Sequence, residues 1–211
     1  MFAKLTDMDD DIAPGTYTLN ASMDYRTILS NIRYKSAGKA TVTVTIPEGM
    51  EQDKIFALLD ENGVCELWQL QAYARYYDFD YSFIKDLPYT PNRLEGYLFP
   101  DTYTFYVDDS PSRVLKKFLS NFNKKWSVEM KARLENINMS MNDIVIIASM
   151  IEKEAKFDEE RPVIASVIYN RLQSSNFPHL EIDATVLYAI GGHKDTITDE
   201  DKKVDSPYNT Y

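Results

Sequence analysis

The apolar positions of this chain recur at two spacings, and the change from one to the other marks its elements. Between Lys39 and Ile46 the sequence alternates in β-branched residues. That period of two predicts a strand with one buried face, closed by the turn chemistry of Pro47-Glu-Gly49. Upstream, Pro14 to Leu19 reads as a turn and a short strand, followed by an amphipathic helix with Tyr25, Ile28, Leu29 and Ile32 on one face. Past the strand the period lengthens to that of a helix. One helix is expected from about Gln52 to Asn62, with Ile55, Leu58 and Leu59 inward, and a second, rich in Trp and Tyr, from about Leu67 to Tyr77. Residues 78–92 carry Pro88, Pro91 and scattered aromatics, so a domain boundary is expected there.

Beyond it, Leu98 to Val107 reads as a strand with an early turn. Ser110-Pro111 opens a helix whose stripe is Val114, Leu115, Phe118 and Leu119. Ser140-Met-Asn-Asp143 fits a capping box, which starts a central helix near Met141. After the acidic connection Asp158-Glu-Glu160, a helix over Pro162 to Leu172 has Val163, Ile164, Val167, Ile168 and Leu172 as its apolar face. The remainder, around Asp183 to Tyr188 and Gly191-Gly192, looks loop-like, and no internal repeat or low-complexity segment is present.

Composition narrows the possibilities. A chain of 211 residues, 44% hydrophobic and 13% aromatic, can build one large or two small cores. No run approaches the roughly 18 apolar residues of a membrane span, and the first residues lack a signal-peptide core. The net charge of −10 repels nucleic acid and anionic lipid surfaces. The single cysteine, Cys65, excludes an internal disulfide and is expected to be a buried thiol. Neither His179 nor His193 lies in a metal-ligand spacing, so no metal and no cofactor are expected.

The candidate chemistry lies in Ile144-Val-Ile-Ile-Ala-Ser-Met-Ile-Glu-Lys-Glu-Ala155, an apolar helix ending in Glu152 and Glu154. A carboxylate partly enclosed by apolar walls holds its proton more tightly, which suits a general acid. The plainer reading is a helix leaving the core with solvated Glu and Lys, Glu152 and Lys156 forming an i,i+4 pair. Positions two apart lie about 200° apart around a helix, so the two glutamates face opposite ways. Glu152 sits over Ala148 and Ser149, small residues that leave room for a substrate, and the Ser149 hydroxyl can hydrogen-bond it. Glu154 sits over Met150 and Ile151, a packing face, and suits a structural partnership with Arg161 or Lys125.

Five ordered motifs carry a family resemblance: Leu94-Glu-Gly-Tyr-Leu-Phe-Pro-Asp-Thr-Tyr103; Ala148-Ser-Met-Ile-Glu-Lys-Glu154 with Glu160-Arg161; Asn170-Arg-Leu172; Asp183-Ala-Thr-Val-Leu-Tyr188; and Tyr208-Asn-Thr-Tyr211. Together they resemble the YceG/MltG-like endolytic murein transglycosylases. The resemblance extends upstream to a LysM-like module over about Val42 to Pro88, with Thr45-Ile-Pro-Glu-Gly49 as its most characteristic stretch. One departure is Glu181-Ile182, where the family usually has polar residues before the aspartate.

The resemblance implies an α+β protein: residues 1–90 as an N-terminal region holding the LysM-like module, and residues 91–211 as a catalytic domain truncated at its C-terminus. An isolated fragment covering residues 1–88 is then expected to fold. The implied activity is cleavage of peptidoglycan strands between N-acetylmuramic acid and N-acetylglucosamine, leaving 1,6-anhydromuramyl ends. Glu152 takes the catalytic position. Glu95, Asp101 and Asp183 are candidates to orient sugar hydroxyls or stabilise positive charge, although Asp183 equally suits a helix cap before Ala184 to Ala189. Tyr97, Tyr103, Tyr188 and Tyr211 can stack on sugar faces or serve the core. Asn170 and Arg171 close a helix, where arginine favours the dipole, and in the motif they suggest a site role. Ser149, Thr185 and Asn209 complete the substrate-binding set, with Glu154, Glu160 and Arg161 as supporting residues. The implied partners are glycan strands and cell-wall synthases, on the extracytoplasmic face of a bacterial cell membrane, with an N-terminal anchoring helix outside this chain. A non-catalytic peptidoglycan-binding or scaffold module is the alternative, and a muramidase that uses water is a second.

Overall fold

The computed structural model describes residues 17, 23–25, 27–28, 40–137, 139–191, 194 and 196–211. Of the upstream helix, residues 24, 25, 27 and 28 are described: Asp24 Oδ1 accepts the Thr27 N–H at 2.7 Å and the Asp24 carbonyl accepts from the Ile28 N–H at 2.9 Å. The rest of that helix, and the strand expected before it, lie outside the described residues. The chain divides into two compact units, one ending at Val128 and the other beginning at Glu129.

The first unit is built on an antiparallel pair, β1 (Thr41–Thr45) and β2 (Thr102–Tyr106), in the register Thr41↔Tyr106 to Thr45↔Thr102. Alternation sends Val44, Tyr103 and Phe105 into the core, while threonines pair across the outer face, Thr43 with Thr104 at 3.2 Å and Thr45 with Thr102 at 2.9 Å. Between the strands lie α1 (Gln52–Glu61), α2 (Leu67–Tyr76) and the single turn α3 (Ser82–Lys85). After β2, α4 (Pro111–Lys125) buries the expected stripe of Val114, Leu115, Phe118 and Leu119. Its Phe118 lies 4.4 Å from the Tyr103 ring, centroid to centroid, so α4 covers the inner face of the pair. In α1 the inward residues are Ile55, Phe56 and Leu59, and Leu58 is half-buried. Cys65 is a buried thiol donating to Gln69 Oε1 at 3.2 Å, and burial pushes it up to about 11, which keeps it protonated and unreactive at neutral pH.

The compact unit does not end near residue 90. Segment 78–92 is anchored rather than a linker: Phe79 and Ile84 are buried, and the buried guanidinium of Arg93 donates to the carbonyls of Tyr77 at 2.8 Å and of Arg75 and Ile84 at 3.4 Å. Those carbonyls lie at the C-terminal ends of α2 and α3, where the helical hydrogen-bond ladder runs out, and that of Ile84 also accepts from the Leu87 N–H at 3.0 Å. The prolines mark bends in a packed chain.

In the second unit, α5 (Val128–Leu134) begins at the division and is followed by α6 (Met141–Glu154), a 3-10 turn at Asp158–Glu160, α7 (Arg161–Leu172), α8 (Asp183–Ala189) and a second 3-10 turn at Asp201–Lys203. The capping box is present: Ser140 Oγ accepts from the Asp143 N–H at 3.1 Å, and Asp143 Oδ2 accepts from the Ser140 N–H at 2.8 Å. Ile147, Met150, Ile168 and Ile182 form the core, with Ile151, Ile164, Tyr169 and Leu180 packed against it. Two expectations change here. The face of α7 is narrower, because Val163 (63% exposed), Val167 and Leu172 point to solvent and Ile164 and Ile168 make the contact. Residues 183–189 are helical rather than loop, since Ile182 and Val186 bury one side of a short helix. Among the described residues no helix is long and apolar enough to cross a membrane.

Candidate functional site

Glu152 stands in the last turn of α6, its side chain 31% exposed. Ile147 and Met150 bury the opposite side of the helix, which leaves Ala148 and Ser149 exposed; four and three positions before Glu152 on a helix, they form a shelf of small residues on its face. The apolar enclosure expected of Glu152 is therefore one-sided. Its partner is Arg161, whose Nη2 lies 3.2 Å from Glu152 Oε2, while Arg161 Nε lies 3.3 Å from Asp158 Oδ1. Arg161 thus pairs with Glu152 and not with Glu154. The turn between the helices is held by Glu160, whose Oε2 accepts the N–H groups of Lys156 at 2.9 Å and Phe157 at 3.0 Å.

Glu154 is exposed on the other side of α6, and its charge acts on Tyr211. There the chain's last residues close against the start of α8. Thr210 accepts at its carbonyl from the Glu181 N–H at 3.0 Å and at Oγ1 from the Ile182 N–H at 2.9 Å, and its hydroxyl meets that of Thr185 at 2.9 Å. The Tyr211 hydroxyl donates to Asp183 Oδ1, and that bond, with the surrounding carboxylates, pushes the phenol up to about 12. Lys202 lies over the Tyr211 ring at 4.8 Å, and the rings of Tyr188 and Tyr208 meet edge-on at 5.0 Å.

Several expected substrate contacts are engaged in holding the fold. The Ser149 hydroxyl donates to the Ile146 carbonyl at 2.7 Å, back along its own helix. Thr185 Oγ1 donates to the Ile182 carbonyl at 2.7 Å, and the Asn209 amide donates to the carbonyls of Lys202 and Val204 at 2.8 and 2.9 Å. Arg171 is directed at the Leu180 carbonyl and, at 3.3 Å, at Glu181, which pins the loop between α7 and α8. Asp183 opens α8 from its first position, whereas the cap is Ile182. Asn170 is exposed near the end of α7. Ile182 is a core residue, which accounts for an apolar side chain at the position where the sequence departs from the family pattern.

Glu95, Tyr97, Asp101 and Tyr103 belong to the first unit. Tyr97 is 1% exposed and its ring packs against Phe83 and Phe122, so no face remains for a sugar. Tyr103 is likewise buried, its hydroxyl donating to the Phe99 carbonyl at 2.6 Å, and burial pushes its phenol upward. Glu95 caps α1 by accepting the Gln52 N–H. Asp101 is exposed; the Thr102 N–H and the Asn121 amide hold its carboxyl below the usual carboxylate range.

Asp158 and Thr210 had no place in the sequence reading. Asp158 was a member of an acidic run, and Thr210 lay inside a recognised motif without an assigned role. The fold and site define a mixed helical and β protein with a carboxylate and arginine pair at a helix junction. The chain belongs to the YceG-like family, whose model matches residues 1–211. It is 33% identical over 207 residues to the "Endolytic murein transglycosylase" of Bacillus subtilis (strain 168), covering 93% of this chain and 57% of that protein. To the protein of the same name from Streptococcus pneumoniae (strain ATCC BAA-255 / R6) it is 30% identical over 230 residues, covering 95% and 40%. The chain thus spans about half the length of these relatives. A crystal structure of a putative YceG-like protein from Listeria monocytogenes superposes with a TM-score of 0.70 at 30% identity, over all of this chain and 71% of that one.

Proposed function

We propose that the protein is an endolytic lytic transglycosylase that cuts peptidoglycan glycan strands, with Glu152 as its single acid and base. The observation that carries this reading is Glu152 itself, a half-buried carboxylate at the end of a core helix, opening onto the small residues Ala148 and Ser149. The family membership and the names of the relatives support the substrate class.

In the proposed reaction the protonated Glu152 donates to the glycosidic oxygen while the bond from that oxygen to the muramyl C1 breaks. The N-acetylglucosamine side leaves as the alcohol, and positive charge develops at C1. The C6 hydroxyl oxygen of the same sugar then bonds to C1, and its proton passes to the Glu152 carboxylate, restoring the acid. No water is consumed and no second carboxylate is needed, because the nucleophile is already held within the substrate.

The catalytic domain is proposed to hold this chemistry on the second unit. The first unit's order of β1, two helices of ten residues, the single turn α3 and β2 is what supports a LysM-like module, with its boundary moved from residue 88 to β2. Synthase partners and an N-terminal membrane anchor on the extracytoplasmic face belong to the same proposal.

The test is digestion of purified peptidoglycan followed by mass spectrometry. Products bearing 1,6-anhydromuramyl ends, with cleavage lowered about 10²–10⁴-fold in Glu152→Gln, are expected. Reducing ends would replace the reading with a muramidase that uses water. Glycan binding without cleavage by a protein extended to the length of the relatives would replace it with a scaffold.

A further inference from the structure

Glu152 and Arg161 each sit at the unfavourable end of a helix. Glu152 lies in the last turn of α6, where the exposed carbonyls disfavour an anion, and Arg161 is the first residue of α7, where the exposed N–H groups disfavour a cation. Neither charge is favoured by its own helix, and each offsets the other across the junction at 3.2 Å. Arg161 is also divided. Its Nε lies 3.3 Å from Asp158 without a well-directed hydrogen bond, so Asp158 competes with Glu152 for one guanidinium.

We propose that Arg161 is a positioning residue of the transglycosylase site: shared between Glu152 and Asp158, it holds the Glu152 carboxylate over the Ala148-Ser149 shelf and stabilises its charged form. This rests on the reading of Glu152 as the acid and base. The charged form is the one that exists after the proton has gone to the glycosidic oxygen and before the C6 hydroxyl returns one. When Glu152 is protonated the ion pair is lost, and Asp158 keeps the guanidinium in place.

Arg161 reaches Glu152 from α7, and from the 3-10 turn Asp158 acts through that guanidinium. The Glu160 carboxylate is committed to two backbone N–H groups of the turn. On the chain around Glu152 itself are Lys153 and Lys156, the latter with its ammonium over the Phe157 ring at 5.7 Å. On α8, Asp183 is engaged by Tyr211, on the side that Glu154 faces.

The test follows the Glu152 carboxyl carbon by NMR across pH in the chain as it stands, so it does not depend on turnover. Removing the cation in Arg161→Gln is expected to move the titration midpoint upward, a partly exposed pair giving less than a buried one. Arg161→Lys is expected to keep most of the unsubstituted behaviour. Asp158→Asn, which removes the competitor, is expected to move the midpoint the other way, and it remains informative if Arg161→Gln fails to fold. Where cleavage is measured, the alkaline limb of its pH profile should follow the same order. Unmoved midpoints in both Arg161→Gln and Asp158→Asn, with folded proteins, would overturn the proposal, since a purely structural arginine alters stability without altering this titration. Glu152→Gln separates the two layers: full cleavage by that variant removes the transglycosylase assignment of Glu152, whereas an inactive Glu152→Gln beside unmoved midpoints removes only the role of Arg161.

Discussion

Gln52 and Glu95 hold each other at both ends of a link that spans 43 residues of chain. The Glu95 carboxylate accepts the Gln52 N–H at 3.1 and 3.2 Å, while the Gln52 side chain accepts from the Leu94 N–H at 3.0 Å and donates to the Pro91 carbonyl at 2.9 Å. The residue before α1, Glu51, makes no side-chain cap, so a residue of the first recognised motif caps that helix from a distance. Glu95→Ala is accordingly expected to cost about 1–2 kcal/mol, the usual loss on removing a cap. Glu95→Gln, which retains an acceptor, should cost less. Urea unfolding of the three proteins measures both differences; equal stability throughout would mean that the cap contributes nothing.

The second glutamate of the α6 motif should behave unlike the first. Glu154 is exposed and faces away from Arg161, so Glu154→Gln is expected to change stability by no more than about 0.5 kcal/mol. Its effect on cleavage should stay below about tenfold, against the much larger loss expected on removing a general acid. Side-by-side turnover of Glu152→Gln and Glu154→Gln on glycan strands decides, and a larger loss for Glu154→Gln would reverse the assignment.

Tyr211 offers a prediction at alkaline pH. Its phenol is raised to about 12 by the hydrogen bond to Asp183, above the ordinary value of 10.0 that it regains on unfolding. The folded state therefore binds this proton more tightly, so the contribution is fully present below pH 10 and is lost as pH rises towards 12. Tyr211→Phe is expected to cost about 0.5–1 kcal/mol at pH 8, the modest value of an exposed bond. The gap between the two proteins should close as denaturant unfolding is repeated at increasing pH above 10. A gap constant to pH 11.5 would show that the bond does not form in solution.

A fragment ending at residue 88 should not fold, contrary to what the sequence suggests. It retains β1 but loses β2, the partner to which β1 is hydrogen-bonded, together with Tyr103, Phe105 and Phe118 of the same core. A two-stranded pair has no stability without its partner strand and a packed face. A fragment ending at Val128 keeps the compact unit and is expected to unfold cooperatively on heating. Circular dichroism melts of the two fragments distinguish these outcomes.

Local patterns were legible because their causes are local. The alternation of Thr and Val marked β1, Pro111 marked the start of α4, and Ser140 with Asp143 marked the start of α6; each is a matter of period or of capping within a few residues. The 200° between Glu152 and Glu154 also follows from helix geometry alone, and the structure keeps them on different sides. The short helix at Asp183–Ala189 stayed open between loop and capped helix because a seven-residue segment shows too little periodicity, and its helicity comes from packing Ile182 and Val186.

What the sequence by itself determined was the set of elements, the family motifs and the two candidate carboxylates. Tertiary structure alone decided which groups meet. It gave Arg161 to Glu152 rather than to Glu154, Tyr211 to Asp183, and Glu95 to the N-terminus of α1. It also turned Tyr97 and Tyr103 from possible sugar platforms into core residues. The reason is that a helix or strand period fixes only the direction of a side chain relative to its own element, whereas the partner in that direction depends on how elements pack. An aromatic pointing off a strand reads alike in sequence whether it meets Phe118, as Tyr103 does, or a ligand.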